Sequence, residues 1–164
     1  MADKYQVDAI DQQILAYLVK NARMTFLEIA RECGISGAAI HKRVKKMEEA
    51  GIIGGSGMII KPNAVGYDVC AFVGVQFSSA NQYEGVVEAL KNMQEVVECH
   101  FITGAYALLI KIYCKNNEHH MEVLVNTIQN IPGVLKTETV ISLDQAFESQ
   151  VYVKDKSLIK PQKG

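Results

Sequence analysis

Apolar residues recur along this chain with two different periods, and the change from one to the other divides it. Val7, Ile10, Ile14 and Leu18, with Leu15 beside them, keep the spacing of one helical face, and Asp8 stands at the capping position. That helix ends near Lys20, and Asn21 opens a polar turn. Thr25 and Glu28 follow three residues apart, the spacing at which each side chain satisfies a free amide at the other's position. Phe26, Ile29, Ala30 and Cys33 make the buried stripe of this second helix. Gly34 then stands where a positive φ ends a helix without a Cβ clash. Ile35 alone separates it from Ser36, the N-cap of a third helix whose inner face is Ile40, Val44 and Met47 and which Gly51 closes.

Two helices joined by a short glycine-containing turn make a helix-turn-helix. Small Ala30 where the helices cross, Gly34 in the turn and Ile40 behind the third helix all fit that frame. Turning Ile40, Val44 and Met47 inward turns Ala38, His41, Lys42 and Lys45 outward. Short Ala38 and Ala39 let the helix start approach base edges, and Lys42 and Lys45 can reach bases or phosphates. Ser36 and Lys46 complete the candidate DNA-facing set, together with Arg43. That arginine falls at the flank of the inner face, where either a carboxylate or a phosphate could be its partner. A basic run is most often only a solvated face; the helix-turn-helix frame is what makes this one a DNA contact. The stretch IIGGSGMIIKP (52–62) predicts a short hairpin arm, a wing or hinge, loosened by Gly54, Gly55 and Gly57 and ended by Pro62. The domain boundary is placed near Lys61, so that residues 1–61 form the DNA-binding domain.

Beyond it the periods alternate. Cys70–Phe77 is β-like on both faces; Tyr83, Val86, Val87, Leu90 and Met93 mark a helix. Val96–Gly104 and Ala107–Lys115 are strands joined by a tight turn. Met121, Leu124, Val125, Ile128 and Ile131 mark another helix, stopped by Pro132-Gly133, and Val134–Leu143 is a last strand. The order βαββαβ predicts a ferredoxin-like sandwich over residues 62–148, with helices on one face of a four-stranded antiparallel sheet. Leu108, Ile110, Ile112 and Cys114 should face the helices, with Leu109, Lys111 and Tyr113 opposite. In the first strand Ala71, Val73, Val75 and Phe77 share one apolar face, and Cys70 and Phe72 lie on the other. Helices cover one side only, so a second copy of the chain is the simplest cover for the other. The fold class is α+β.

Composition narrows the function. With 49% hydrophobic and 21% charged residues in 164, the chain has the balance of a folded protein, not a disordered one. No apolar run approaches the ~18 residues of a membrane span, and the start MADKYQVDAIDQQ is too polar for a secretory leader, so a cytoplasmic protein is expected. The net charge of −1 divides unevenly. Residues 1–61 hold nine Lys/Arg against seven Asp/Glu, and residues 62–164 hold eight against eleven, or +2 and −3. Cys33, Cys70, Cys99 and Cys114 lie far apart in apolar segments and read as single buried thiols, not metal or redox centres. The tail, residues 149–164, ends in polar, basic KDKSLIKPQKG and is expected to fray.

The segments LEIARECGISGAAIHKRVKKMEEAGIIGG, NAVGYDVCAFVGV, FITGAY and IPGVLKTETVISL, in that order, resemble the Lrp/AsnC (feast/famine) transcription regulators from about Val7 to Phe147. The resemblance implies a winged helix-turn-helix joined to a ferredoxin-like (RAM) domain. It implies homodimers built through that domain, gathered into rings such as an octamer of four dimers, that bind or wrap double-stranded DNA. It also implies a small effector, usually an amino acid, at the junction between dimers. In the family the effector's amino and carboxyl groups are held around the turn after the second strand, here Thr103, Gly104, Ala105 and Tyr106. An aspartate common just after this turn is Ala107 here. Either another residue supplies the partner of the ammonium, or the ligand is not a standard amino acid, or the site is unused.

Two other functions share the scaffold. Some proteins that resemble the family by fold are sirohaem decarboxylases, which need proton-donating groups around a large cavity. The candidates here are His100, Tyr106, Tyr113, His119 and His120. His119 and His120, beside Asn116, Asn117 and Glu118, read as a capped, solvated first turn, and His100 as outward-facing. No nucleophile–base or acid–acid pair recurs at a telling spacing, so no enzyme, no cofactor and no metal are expected. The remaining alternative is a nucleoid-type protein that wraps DNA with little sequence choice.

Overall fold

Each N-terminal helix starts where a side chain can cap it. The computed structural model describes residues 5–151 and residue 153. Helix α1 (Ala9–Lys20) follows Asp8, whose Oδ1 accepts the Asp11 N–H at 2.8 Å while Asp11 Oδ2 accepts the Asp8 N–H at 3.1 Å. Helix α2 (Phe26–Cys33) follows Thr25, and the predicted exchange with Glu28 is present: Glu28 accepts the Thr25 N–H at 2.7 Å and Thr25 Oγ1 accepts the Glu28 N–H at 3.2 Å. Gly34 ends it at φ 67°, a left-handed conformation open to glycine at no steric cost. Helix α3 (Gly37–Glu49) starts at Ser36, whose Oγ accepts the Ala39 N–H at 3.2 Å. Ile14, Ile29, Ala30, Ile40, Val44 and Met47 form the closed core of this unit.

Arg43 takes the carboxylate of its two alternative partners. Its Nη1 donates to Asp8 Oδ2 at 2.7 Å and to Asp11 Oδ1 at 2.8 Å, and Tyr5 Oη donates to Asp11 Oδ2 at 2.9 Å. Asp11 is fully buried, so α3 is tied to the start of α1 through a carboxylate that water cannot serve. Partial burial pushes the Asp8 carboxyl up, but the Asp11 N–H, the Arg43 guanidinium and the Ile10 N–H outweigh it and hold it below its ordinary value.

The expected hairpin arm forms no strand pair among the described residues: from Gly54 to Lys61 the backbone is irregular. Met58, Ile59 and Ile60 are 72%, 94% and 65% exposed. A hairpin is held by facing side chains, and Gly54, Gly55 and Gly57 remove three of them from one short segment. The described residues up to Met58 and from Glu148 on form one compact unit, and Ile59–Phe147 form another. The segment KDKSLIKPQKG, expected to fray, lies outside the described residues.

The second unit is the predicted sandwich. Strands β1 (Val69–Phe77), β2 (Val96–Phe101), β3 (Leu108–Cys114) and β4 (Val134–Ser142) lie in the order β2-β3-β1-β4, every pairing antiparallel. Ala71, Val73, Val75, Leu108, Ile110, Ile112 and Cys114 are buried on the inner face against Val86 and Leu90 of α4 (Tyr83–Lys91) and against Val123, Ile128 and Ile131. The last helical segment departs from its expected stripe. Helix α5 (Asn117–Glu122) passes into a π-helical stretch, Val123–Thr127, and a 3₁₀ turn, Ile128–Asn130. The wider π turn shifts the register, so Val123 points inward while Met121 and Val125 are exposed. None of the four cysteines is in a disulfide, and they differ: Cys114 is buried, Cys33 and Cys70 are half-buried, and Cys99 is exposed, contrary to expectation. Burial pushes the Cys114 thiol up to about 11.

Replacing Arg43 with methionine should destabilise the N-terminal unit by roughly 2–3 kcal/mol, the scale for stripping a charge-assisted bond from a buried carboxylate. The acid limb should change with it. The folded Asp8 titrates below its unfolded value, so its contribution is present above the ordinary carboxyl range and fades as the pH falls through the lowered folded value. Denaturant unfolding from neutral into acid pH should show a shallower loss in R43M than in wild type.

Candidate DNA-contact helix and ligand cleft

The outer side of α3 is what its inner side leaves over. With Ile40, Val44 and Met47 buried, Ser36, Ala38, His41, Lys42, Lys45 and Lys46 are exposed and Ala39 is half-buried. The His41 ring sits edge-on to Phe26 of α2, with centroids 5.7 Å apart at 74°. Lys45 Nζ is 3.9 Å from Glu49 one turn on, a contact too long and too exposed to hold the lysine. Lys42 and Lys46 make no ion pair among the described residues. Arg43 departs from the expected DNA-facing set. It is half-buried and committed to Asp8 and Asp11, because its position on the wheel aims it at the start of α1.

The predicted effector turn borders an open cleft of about 460 Å³ in the second unit. Gly104, Ala105 and Tyr106 line it; Thr103 does not. Ala107 lines it too, joined by Gln76, Phe77, Ser79, Ala80 and Tyr83 from the end of β1 and the start of α4, and by Phe101 and Ile102 where β2 ends. Main-chain bonds pin the base of the turn: the Ile102 N–H donates to the Ala107 carbonyl at 3.0 Å, and the Ala107 N–H to the Val75 carbonyl at 2.9 Å. The Gln76 side-chain amide donates to the Ala105 carbonyl. Gly104 sits at φ 125°, which a side chain would strain. Among the described residues, the N–H groups of Gly104, Ala105 and Tyr106 meet no acceptor. Three aromatic rings line up at the mouth, Phe77 to Tyr83 at 6.3 Å and Tyr83 to Phe101 at 5.1 Å, both edge to face. Phe101 is 70% exposed. No acidic side chain is among those that line the cleft.

Family models match both units: residues 7–53 match a winged helix-turn-helix DNA-binding domain, and residues 70–152 the Lrp/AsnC ligand binding domain. The regulatory protein AsnC of Escherichia coli is 39% identical over 141 residues, 86% of this chain and 93% of that protein. The chain belongs to the Lrp/AsnC family. It is a DNA-binding transcription regulator of α+β fold. The structure of E. coli AsnC superposes with a TM-score of 0.83 at 37% identity, covering 90% of this chain and 99% of that one. A feast or famine regulatory protein from M. tuberculosis, solved in complex with L-methionine, superposes with a TM-score of 0.84 at 25% identity, covering 91% and 100%.

Outside the cleft, the residues weighed for catalysis in this Lrp/AsnC regulator do not converge. His100 is exposed on β2, 3.4 Å from Glu98, and Tyr113 lies on the outer sheet face against Lys111. Asn116 caps α5 by accepting the His119 N–H at 2.8 Å, as expected. Yet His120 is buried, not solvated, its Nε2 unpaired and its pKa lowered by burial. His119 Nδ1 accepts the Lys115 N–H at 3.2 Å, leaving Nε2 to face Glu95 at 3.4 Å. No helix among the described residues is long and apolar enough to cross a membrane. Gln76, Ser79, Tyr83 and Phe101 escaped the reading of the sequence as cleft residues. They come from segments remote in the chain, and the only signal was that Tyr83 opens α4 and Phe101 closes β2, each beside a turn.

Ser36→Ala should cost about 1 kcal/mol by leaving the Ala39 N–H without its acceptor, and Ser36→Asp should restore most of it. Thermal unfolding of the three proteins checks this.

Proposed function

We propose that this regulator reads specific DNA sites through Ser36, Ala38, Ala39, His41, Lys42, Lys45 and Lys46 of α3. On this reading it works as a cytoplasmic homodimer or a ring of dimers, and its assembly or DNA affinity shifts when a free amino acid enters the cleft at Thr103–Tyr106. The reading leaves Arg43 out of the DNA contacts, because its guanidinium already serves two carboxylates. The observation that carries the ligand half is the turn itself. Three consecutive N–H groups without acceptors among the described residues, opened by a glycine, suit a carboxylate, and the aromatic mouth suits a side chain. The methionine bound to the M. tuberculosis relative supports an amino acid as the ligand class. Ala107 leaves the ammonium without a carboxylate in the cleft, and the open side of the cleft leaves room for a neighbouring copy to supply one. Half-exposed apolar residues on the outer sheet face, Phe72 among them, support pairing through that face.

Lys42→Ala and Lys45→Ala should each weaken operator binding, with fold and assembly intact, and lower the slope of log affinity against log salt by about one unit. Equal affinity for an operator and for random DNA at fixed salt would favour the wrapping reading over sequence choice.

The ligand half is checked by a thermal-shift screen of the proteinogenic L-amino acids, run beside size-exclusion measurements of mass. Gly104→Val should abolish the response while basal DNA binding survives. A variant that still responds would remove the turn from the site.

A further inference from the structure

Tyr106 lines the cleft, and its ring rests on the strand beside it. On the outer face of β1 the side chains run Cys70, Phe72, Gly74, Gln76, and at Gly74 the ring of Tyr106 takes the vacant place. A Cβ built on Gly74 would meet Tyr106 Cγ and Cδ2 at 2.6 Å and Cδ1 at 2.8 Å. No real Cβ tolerates such distances, so the glycine is the seat of the ring. The register places Glu138 of β4 directly across from Gly74. The ring and that carboxylate are thus neighbours on one face, and Glu138, with some burial, raises the Tyr106 pKa above its ordinary value. Neither Gly74 nor Glu138 lines the cleft. One residue of the cleft wall is therefore held from outside the cleft, by a missing side chain beneath it and a carboxylate beyond it.

We propose that Gly74 and Glu138 are positioning residues for ligand binding, acting through Tyr106: the ring seated on Gly74 and the phenol anchored at Glu138 hold the 103–106 turn in the shape that receives a carboxylate. The proposal rests on the reading of the cleft as the amino-acid site. Its mechanism is preorganisation. The Ala107 bonds pin the base of the turn and Gln76 holds the Ala105 carbonyl, while Gly104 takes a positive φ and the Tyr106 ring reaches the sheet's outer face. A turn that must be ordered on binding gives up affinity that a pre-set turn keeps. Glu138 and the ring also sit on the face proposed to pair with a second copy, so the same seat links the cleft to assembly.

The test uses the full-length protein and the L-amino acid that gives wild type the largest thermal shift, with affinity read by calorimetric titration. Tyr106→Phe and Glu138→Gln should fold as wild type and bind that amino acid roughly tenfold more weakly, the scale of one charge-assisted bond. Gly74→Ala should weaken it at least as much, because the ring is expelled. In a Tyr106→Ala background Gly74→Ala should add nothing, a cancellation that a general weakening of β1 would not produce. Absorbance titration of the phenols, with Tyr106→Phe as the subtraction, should show the Tyr106 ionisation moving down toward its ordinary value in E138Q. Unchanged affinity in Tyr106→Phe and Glu138→Gln, with wild type responding, overturns the positioning roles and leaves the cleft standing. A wild type silent to every amino acid overturns the cleft reading and this proposal together. Should Gly74→Ala not fold, the Tyr106 and Glu138 variants decide the matter alone.

Discussion

A sheet has two faces, and this chain has helices for only one of them. On the inner face the constraint is met fully: seven apolar residues of β1 and β3 are closed over by α4 and the irregular segment after α5. On the outer face the same strands carry Cys70, Phe72, Leu109 and Tyr113, with β4 adding Val140, and α4 and α5 lie on the other side. The chain covers part of that surface with its own side chains. Lys111 lies along the face with only 12% of its side chain exposed, its ammonium 5.9 Å from the Phe72 ring and 5.5 Å from that of Tyr113, and 3.2 Å from Glu98. Burial pushes that ammonium's pKa down, but Glu98 outweighs it and keeps the group charged. Tyr106 covers Gly74 in the same way.

The helix-turn-helix answers a different constraint, that of aiming a helix outward while anchoring it. Three side-chain caps and one left-handed glycine fix where the helices begin and where the turn bends. The anchoring comes from three inward aliphatics and from Arg43, a basic residue turned away from the others. The lysines stay exposed on the outer side while the arginine is committed inside. Charge in this helix does two jobs, and the register on the wheel assigns them.

The cleft arises where three connections meet: the end of β1, the loop into α4, and the turn between β2 and β3. No single segment contains it. Its polarity comes from backbone amides and its walls from aromatic rings, which is why few charged residues mark it in the chain.

Local signals carried much of this structure. Period, caps and turn glycines determined the helices of the first unit, the βαββαβ order, the inner faces of β1 and β3, and the tight turn at 104–106, while the effector role of 103–106 came from the family resemblance. Each of these depends on a residue and its near neighbours. Other features were settled only by packing. The partner of Arg43 depends on where α1 lies. The π turn after α5 depends on how that helix meets the sheet, and it buried His120 and exposed Met121 against the helical pattern. The 52–62 arm reads as a hairpin but forms no pair, since a strand needs a partner as well as a β-like composition. The seat of Tyr106 on Gly74 joins residues thirty-two apart in the chain, and a glycine in a strand does not announce which ring will fill its place. Side-chain periodicity records which way a residue faces, while the tertiary structure alone decides what it meets there.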